Sequence, residues 1–268
     1  MTIKGVIFDW AGTTVDFGCF APVEVFLTVF EEADIAVTYA EAREPMGMSK
    51  IDHIRTMLQM PRIQQAWQTK YGGASTEEDV EKLYASFERL LMEGLAHYTT
   101  PIPHVLDAIE TLRANGLKIG STTGYTKEMM VVVQQGAKEK GYVPDFVATA
   151  DDVGGKGRPY PYMIFENMKQ LGLASVEEVV KVGDTVSDIK EGLHAGVTSV
   201  GVIVGSSEMG LSEAEYNALS AEEQQVAIEE TRKKFEAAGA HYTIETMQQL
   251  PGLIEALLIT EKDQVVQL

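Results

Sequence analysis

Twice in this chain a short apolar run stops at a carboxylate. Val6-Ile7-Phe8 ends at Asp9 and opens into Trp10-Ala11-Gly12-Thr13, and Val179–Val182 leads through Gly183 to Asp184 and then Thr185-Val186-Ser187-Asp188. An apolar run of this length bounded by small or polar residues reads as a buried strand. In open α/β sheets ligands bind beyond the C-terminal ends of the strands, which is where both carboxylates fall. Either aspartate alone would serve as a helix cap. Side by side in a parallel sheet, two hard oxygen donors with positions left for water and phosphate suit Mg²⁺.

The rest of the chain supplies the sheet. From Pro101 onward helices and strands alternate: helix 105–115, strand 117–122, helix 127–140, strand 146–149, helix 162–171, strand 179–182, helix 186–195, strand 198–204. Such alternation implies right-handed crossovers and a doubly wound, Rossmann-like parallel sheet, an α/β fold. Between residues 20 and 99 no strand is expected. Helices are read over 23–33, in stretches of 40–60 that stop at Pro61, and from Thr76 to about His97, where Val80, Leu83, Tyr84, Phe87, Leu90, Leu91 and Leu95 share a face. The expected organisation is therefore a core of 1–19 and 100–268 with an inserted α-helical cap of 20–99. The acidic stretch 212–240 reads as a surface excursion, 241–244 as an edge strand and 247–259 as a last helix.

A length of 268 residues fits one large domain plus a smaller insert. The net charge of −18 argues against nucleic acid or an anionic membrane as partner, and requires any anionic substrate to find a local cationic site. A single cysteine excludes an internal disulfide and fits a reducing compartment. The N-terminal apolar run is too short for a signal peptide, and no stretch approaches the ~18–20 apolar residues of a membrane span, so a cytoplasmic protein is expected.

Further groups point to anion chemistry. Ser121-Thr122-Thr123-Gly124 follows a strand, where hydroxyls and free N–H groups can hold phosphate oxygens. Arg158, in Gly157-Arg158-Pro159-Tyr160-Pro161, can pair with phosphate. Lys50 sits in an apolar helix start, Pro45-Met46-Gly47-Met48-Ser49-Lys50-Ile51-Asp52-His53, with His53 three residues on. A lysine is usually a solvated charge, but a desolvated one has a lowered pKa and can form a Schiff base with a carbonyl.

In order and spacing, Asp9, Thr123, Arg158 and Asp184–Asp188 resemble the four motifs of the haloacid dehalogenase superfamily, over about residues 3–204. That resemblance implies an aspartate nucleophile at Asp9, with Mg²⁺ on Asp9, Asp184 and the backbone carbonyl of Ala11, and Asp188 in support. Phosphatases of the superfamily carry a second acidic residue where this chain has Ala11, and use it to protonate a leaving alcohol. Its absence points to another leaving group, such as an enamine formed when Lys50 condenses with a carbonyl β to phosphorus. The segments around Asp9–Pro22, Pro45–His53, Gly120–Tyr125, Gly157–Pro161, Lys181–Asp188 and Gly205–Glu208 narrow the resemblance to the phosphonoacetaldehyde hydrolases. This implies a Schiff base on Lys50, Mg²⁺ as cofactor and a homodimer through the cap. His53 is a candidate substrate-site residue that shuttles protons for imine formation, and Cys19, Met46 and Tyr125 are candidates for the pocket lining, with ordinary packing as the alternative role of all four. The rivals are a phosphatase or phosphomutase, disfavoured by Ala11; a dehalogenase, disfavoured by Gly183–Asp188; and a non-catalytic phosphate-binding protein, disfavoured by the intact Asp9–Asp184 pair.

Overall fold

A computed structural model describes residues 2–265. It begins with strand β1 (Gly5–Phe8), then five helices without an intervening strand: α1 (Phe20–Glu32), α2 (Tyr39–Arg43), α3 (Lys50–Gln59), α4 (Pro61–Tyr71) and α5 (Glu77–Gly94). There follow α6 (Val105–Ala114), β2 (Lys118–Thr122), α7 (Lys127–Glu139), β3 (Phe146–Ala148), α8 (Tyr162–Leu171), β4 (Val179–Gly183), α9 (Val186–Ala195) and β5 (Thr198–Val202). The chain closes with α10 (Glu213–Ala218), α11 (Ala221–Ala238), β6 (Tyr242–Ile244) and α12 (Leu250–Val265).

The six strands form one parallel sheet in the order β3-β2-β1-β4-β5-β6. The winding reverses between β1 and β4, the crevice where doubly wound sheets bind ligands. Phe8 pairs with Val182 across that junction, and the Asp9 N–H donates to the Val182 carbonyl at 3.0 Å. Asp9 and Asp184 therefore leave neighbouring strands at the same level. Side chains alternate across β4: Val180 and Val182 join the main core, which also holds residues of α6, α7 and α12, while Val179 packs on the other face beneath α8 and α9. Lys181 is the charged member of this strand and is wholly buried.

The helical insert is an amphipathic assembly. Phe26 of α1 stacks on Phe87 of α5 at 4.3 Å and on His53 of α3 at 3.8 Å. Capping boxes at Thr38 and Thr76 satisfy the opening N–H groups of α2 and α5.

Three local expectations need correcting. The helical stretch does stop before Pro61, α3 ending at Gln59, but Pro61 also starts a new helix: it occupies the first turn of α4, where a missing N–H costs nothing. Residues 212–240 are more than an excursion, because α11 buries Ile228, Thr231 and Phe235 and forms the crossover from β5 to β6. Gly201 leaves room for this packing; a Cβ there would lie 2.7 Å from the Phe235 ring. The last helix starts at Leu250, after a single 3₁₀ turn over Met247–Gln249. No helix among the described residues is long and apolar enough to cross a membrane.

Candidate active site

The loops leaving β1, β2 and β4 meet the α2–α3 loop of the insert around a narrow cavity of about 20 Å³. Its walls include Asp9, Ala11, Cys19, Met46, Lys50, Thr123, Tyr125 and Arg158. Eight of the residues singled out in the sequence thus meet in one place. Asp184 and Asp188 lie directly beneath, and an oxygen from each of Asp9, Asp184 and Asp188 falls within 4.8 Å of the others. His53 stands outside the wall, its Nε2 at 2.9 Å from the Ala42 carbonyl and its ring under Phe26. Burial, and then the charge of Lys50, push its pKa well below the ordinary histidine value.

Each carboxylate is held by its neighbours. Asp184 accepts from the Thr13 hydroxyl at 3.0 Å and the Ser207 N–H at 2.8 Å. Gly12 permits this approach, since a Cβ there would stand 2.1 Å from Asp184 Oδ2. Asp9 takes Nη2 of Arg158 at 2.6 Å. Asp188 accepts from the Thr185 hydroxyl and lies at 2.8 Å from Lys181 Nζ and 3.1 Å from Arg158 Nη2. The electrostatics differ accordingly. Burial, with Asp9 and Asp188 alongside, pushes the Asp184 carboxyl well above the usual range. Burial would raise Asp188 too, but Arg158 and Lys181 outweigh it and hold that carboxyl below its ordinary value.

Four buried carboxylates, Asp9, Asp184, Asp188 and Glu191, face three buried cations, Arg158, Lys181 and Lys50. The surplus of negative charge, carried on oxygen donors, fits a hard divalent cation at the triad of aspartates. Lys50 is the exception among the cations. Its ammonium makes no hydrogen bond or ion pair among the described residues and lies over the rings of Tyr125 at 5.2 Å and Phe26 at 6.0 Å. Burial lowers its pKa, against the pull of Cys19 and Asp9. The Cys19 thiol and the Tyr125 hydroxyl are pushed up by their own burial.

Sequence reasoning read Thr122 only as one of the hydroxyls after a strand and missed Lys181 and Glu191; Thr122 and Glu191 bond Arg158, and Lys181 stands behind them. A signal existed for Lys181, a lysine inside an otherwise apolar strand. Glu191 follows Asp188 by three residues on a helix, the spacing of one face.

A parallel sheet with its switch point at paired carboxylates, an all-oxygen cluster there and a helical insert over the strand ends define the class: a doubly wound α/β protein with a candidate divalent-cation site. The family model for haloacid dehalogenase-like hydrolases matches residues 3–196, and the chain belongs to that family. Within it the chain belongs to the phosphonoacetaldehyde hydrolases. It is 63% identical over 257 residues to the phosphonoacetaldehyde hydrolase of Lysinibacillus sphaericus (strain C3-41), covering 96% of each chain. It is 51% identical over 257 residues to that of Bacillus cereus (strain AH187), covering 96% of this chain and 97% of the other. The solved structure of a phosphonoacetaldehyde hydrolase-like protein from Oleispira antarctica superposes with a TM-score of 0.93 at 40% identity, covering 96% of this chain and 93% of that one.

Proposed function

We propose that this chain hydrolyses the carbon–phosphorus bond of phosphonoacetaldehyde to acetaldehyde and orthophosphate. The observation that carries the reading is the Lys50 ammonium, buried and unpaired in the same cavity as Asp9 while Ala11 offers no acid. The neutral amine adds to the aldehyde and expels water, leaving a protonated imine. An Asp9 oxygen attacks phosphorus in line, and the P–C electron pair moves into the enamine. Direct cleavage would expel a carbanion; the imine removes that barrier and the need for an acid at position 11. The enamine is protonated at carbon and water releases acetaldehyde from Lys50. A second water hydrolyses the aspartyl phosphate and restores Asp9.

The other residues bind and orient. Thr123 and Arg158 hold the phosphonate oxygens, while Cys19, Met46 and Tyr125 enclose the aldehyde end and His53 supports Lys50 from behind. Mg²⁺ fits Asp9, Asp184 and the Ala11 carbonyl, supported by Asp188, and when bound it neutralises charge on the phosphoryl oxygens. Residues 20–99 act as a cap whose closure seats Lys50 over Asp9 and excludes water. The reading includes a cytoplasmic enzyme, working as a homodimer paired through the cap, which sedimentation would test.

Borohydride reduction in the presence of phosphonoacetaldehyde tests the central step. A two-carbon adduct on Lys50, with phosphate released when reductant is omitted, is the expected result. Turnover of phosphate esters with neither adduct nor C–P cleavage would replace this reading by a phosphatase.

A further inference from the structure

The proposed reaction leaves two charged side chains without a part. Lys181 and Glu191 are completely buried behind Arg158. Apolar residues of similar volume would hold the fold as well as a buried ion pair does, so stability alone does not account for them. Their contacts converge on one guanidinium. Glu191 Oε2 accepts from Arg158 Nε at 2.9 Å and from the Thr122 hydroxyl at 3.0 Å. That hydroxyl in turn accepts from Arg158 Nη2 at 2.9 Å and from Lys181 Nζ at 3.0 Å. Its single hydrogen and both lone pairs are then used, which fixes its orientation. Lys181 Nζ also lies between Asp188 at 2.8 Å and Glu191 at 3.5 Å, and so balances both.

Helix α9 delivers these contacts from one face. Asp188, Glu191 and His194 recur at three-residue intervals, and each meets the Arg158 segment: Asp188 at Nη2, Glu191 at Nε, and His194 Nδ1 at 2.7 Å from the Pro159 carbonyl. With Nε fixed and the segment clamped, the plane of the guanidinium is set, and Nη2 comes to rest at 2.6 Å from Asp9 Oδ1. A lysine in place of Arg158 would present one nitrogen, which cannot stand at both the Nε position facing Glu191 and the Nη2 position facing Asp9.

We propose that Glu191 is a positioning residue for phosphoryl transfer, which acts by aiming Arg158 at the nucleophile, with Lys181 as its counter-charge. The proposal rests on Asp9 being that nucleophile. It separates the two halves of the reaction: Glu191 governs attack on phosphorus, whereas imine formation on Lys50 proceeds in the helical insert without it.

The test is Glu191→Gln, which keeps the shape and removes the charge. Phosphate release is expected to fall about 100-fold in kcat, the scale of a misplaced catalytic group. KM should stay within about threefold, and borohydride trapping on Lys50 should match the unsubstituted enzyme. In an Arg158→Lys background, which lacks Nε, adding Glu191→Gln should cost less than about threefold further, because the pair acts as a unit. If Glu191→Gln folds poorly, Glu191→Asp retains the charge with a shorter reach, and should lose kcat at an unchanged melting temperature. A kcat near that of the unsubstituted enzyme, a full second loss in the Arg158→Lys background, or a parallel loss of trapping and release would each overturn the proposal. Phosphate release without any trapped adduct in the unsubstituted enzyme would instead overturn the imine mechanism, and Glu191 would still be judged by release.

Discussion

Gly124 and Met48 meet where the helical insert touches the sheet: a Cβ on Gly124 would stand 2.5 Å from the Met48 carbonyl oxygen. The neighbouring Gly47 is as tightly placed. It has φ +85°, and a Cβ there would lie 2.4 Å from the Thr185 hydroxyl oxygen. The loop that precedes Lys50 is therefore seated on the strand-end loops by bare backbone, and these contacts bring Lys50 into the cavity of Asp9.

Gly124→Ala should hold this seam apart. The clash is with backbone, which cannot swing away as a side chain can, so Lys50 and Asp9 would separate. Displacements of this order cost about 100-fold in rate. Steady-state kinetics should show the fall in kcat/KM, with the melting temperature little changed. Wild-type kcat/KM would mean that the seam need not close this tightly.

Lys50→Arg tests the amine itself. The guanidinium keeps the positive charge but cannot condense with an aldehyde, so C–P cleavage should fall by at least about 10³-fold and the borohydride adduct should vanish. In the unsubstituted enzyme the pH dependence of trapping is set by the neutral amine. Burial lowers the Lys50 pKa from 10.5, so the neutral form appears at lower pH, and the trapping midpoint should lie below that value. A midpoint at or above it would contradict the desolvated site.

Ala11→Asp would return an acid to the cavity wall. A carboxylate there favours the ammonium form of Lys50 and adds repulsion beside Asp9 and Asp184. The pH profile of trapping should move to the alkaline side, and C–P cleavage at neutral pH should fall about 10-fold, one pKa unit's worth of neutral amine. An unmoved profile would show that position 11 does not communicate with Lys50.

The two carboxylate-terminated strands were legible because buried parallel strands leave continuous apolar runs, and that pattern also reveals the switch point once β1 and β4 are paired. The apolar helix start alone left a solvated charge as the usual reading of Lys50, and it was Ala11 and the family resemblance that singled it out. The surroundings of Arg158 were not legible. Thr122 reaches it from β2 and Glu191 from α9, with Lys181 of β4 behind both of them, and no local spacing encodes contacts made across three elements. Phe235 was hidden for a related reason: α11 is acidic along most of its length, and the few residues it buries only acquire meaning against Gly201. At Pro61 the same residue that ends one helix can begin the next, and sequence alone favoured the ending.

Asp16 provides a prediction for stability. It lies where the chain passes from β1 into α1, at φ +56°, and its carboxylate accepts from the Phe20 and Ala21 N–H groups at 3.1 and 3.0 Å. Burial raises its pKa from 3.8 to about 7, against those two hydrogen bonds and the charge of Arg43. A carboxyl with a raised folded-state pKa favours the folded protein fully below its unfolded value, and that contribution is lost as pH rises through the folded one. The window is therefore from about pH 4 to about pH 7, and the full span corresponds to roughly 4 kcal/mol. Asp16→Asn cannot ionise, so its stability relative to the unsubstituted protein should rise by up to that amount across the window and then level off. Urea unfolding at fixed ionic strength, repeated at pH steps from 4 to 8, measures the difference; parallel curves would show that folding does not raise the Asp16 pKa.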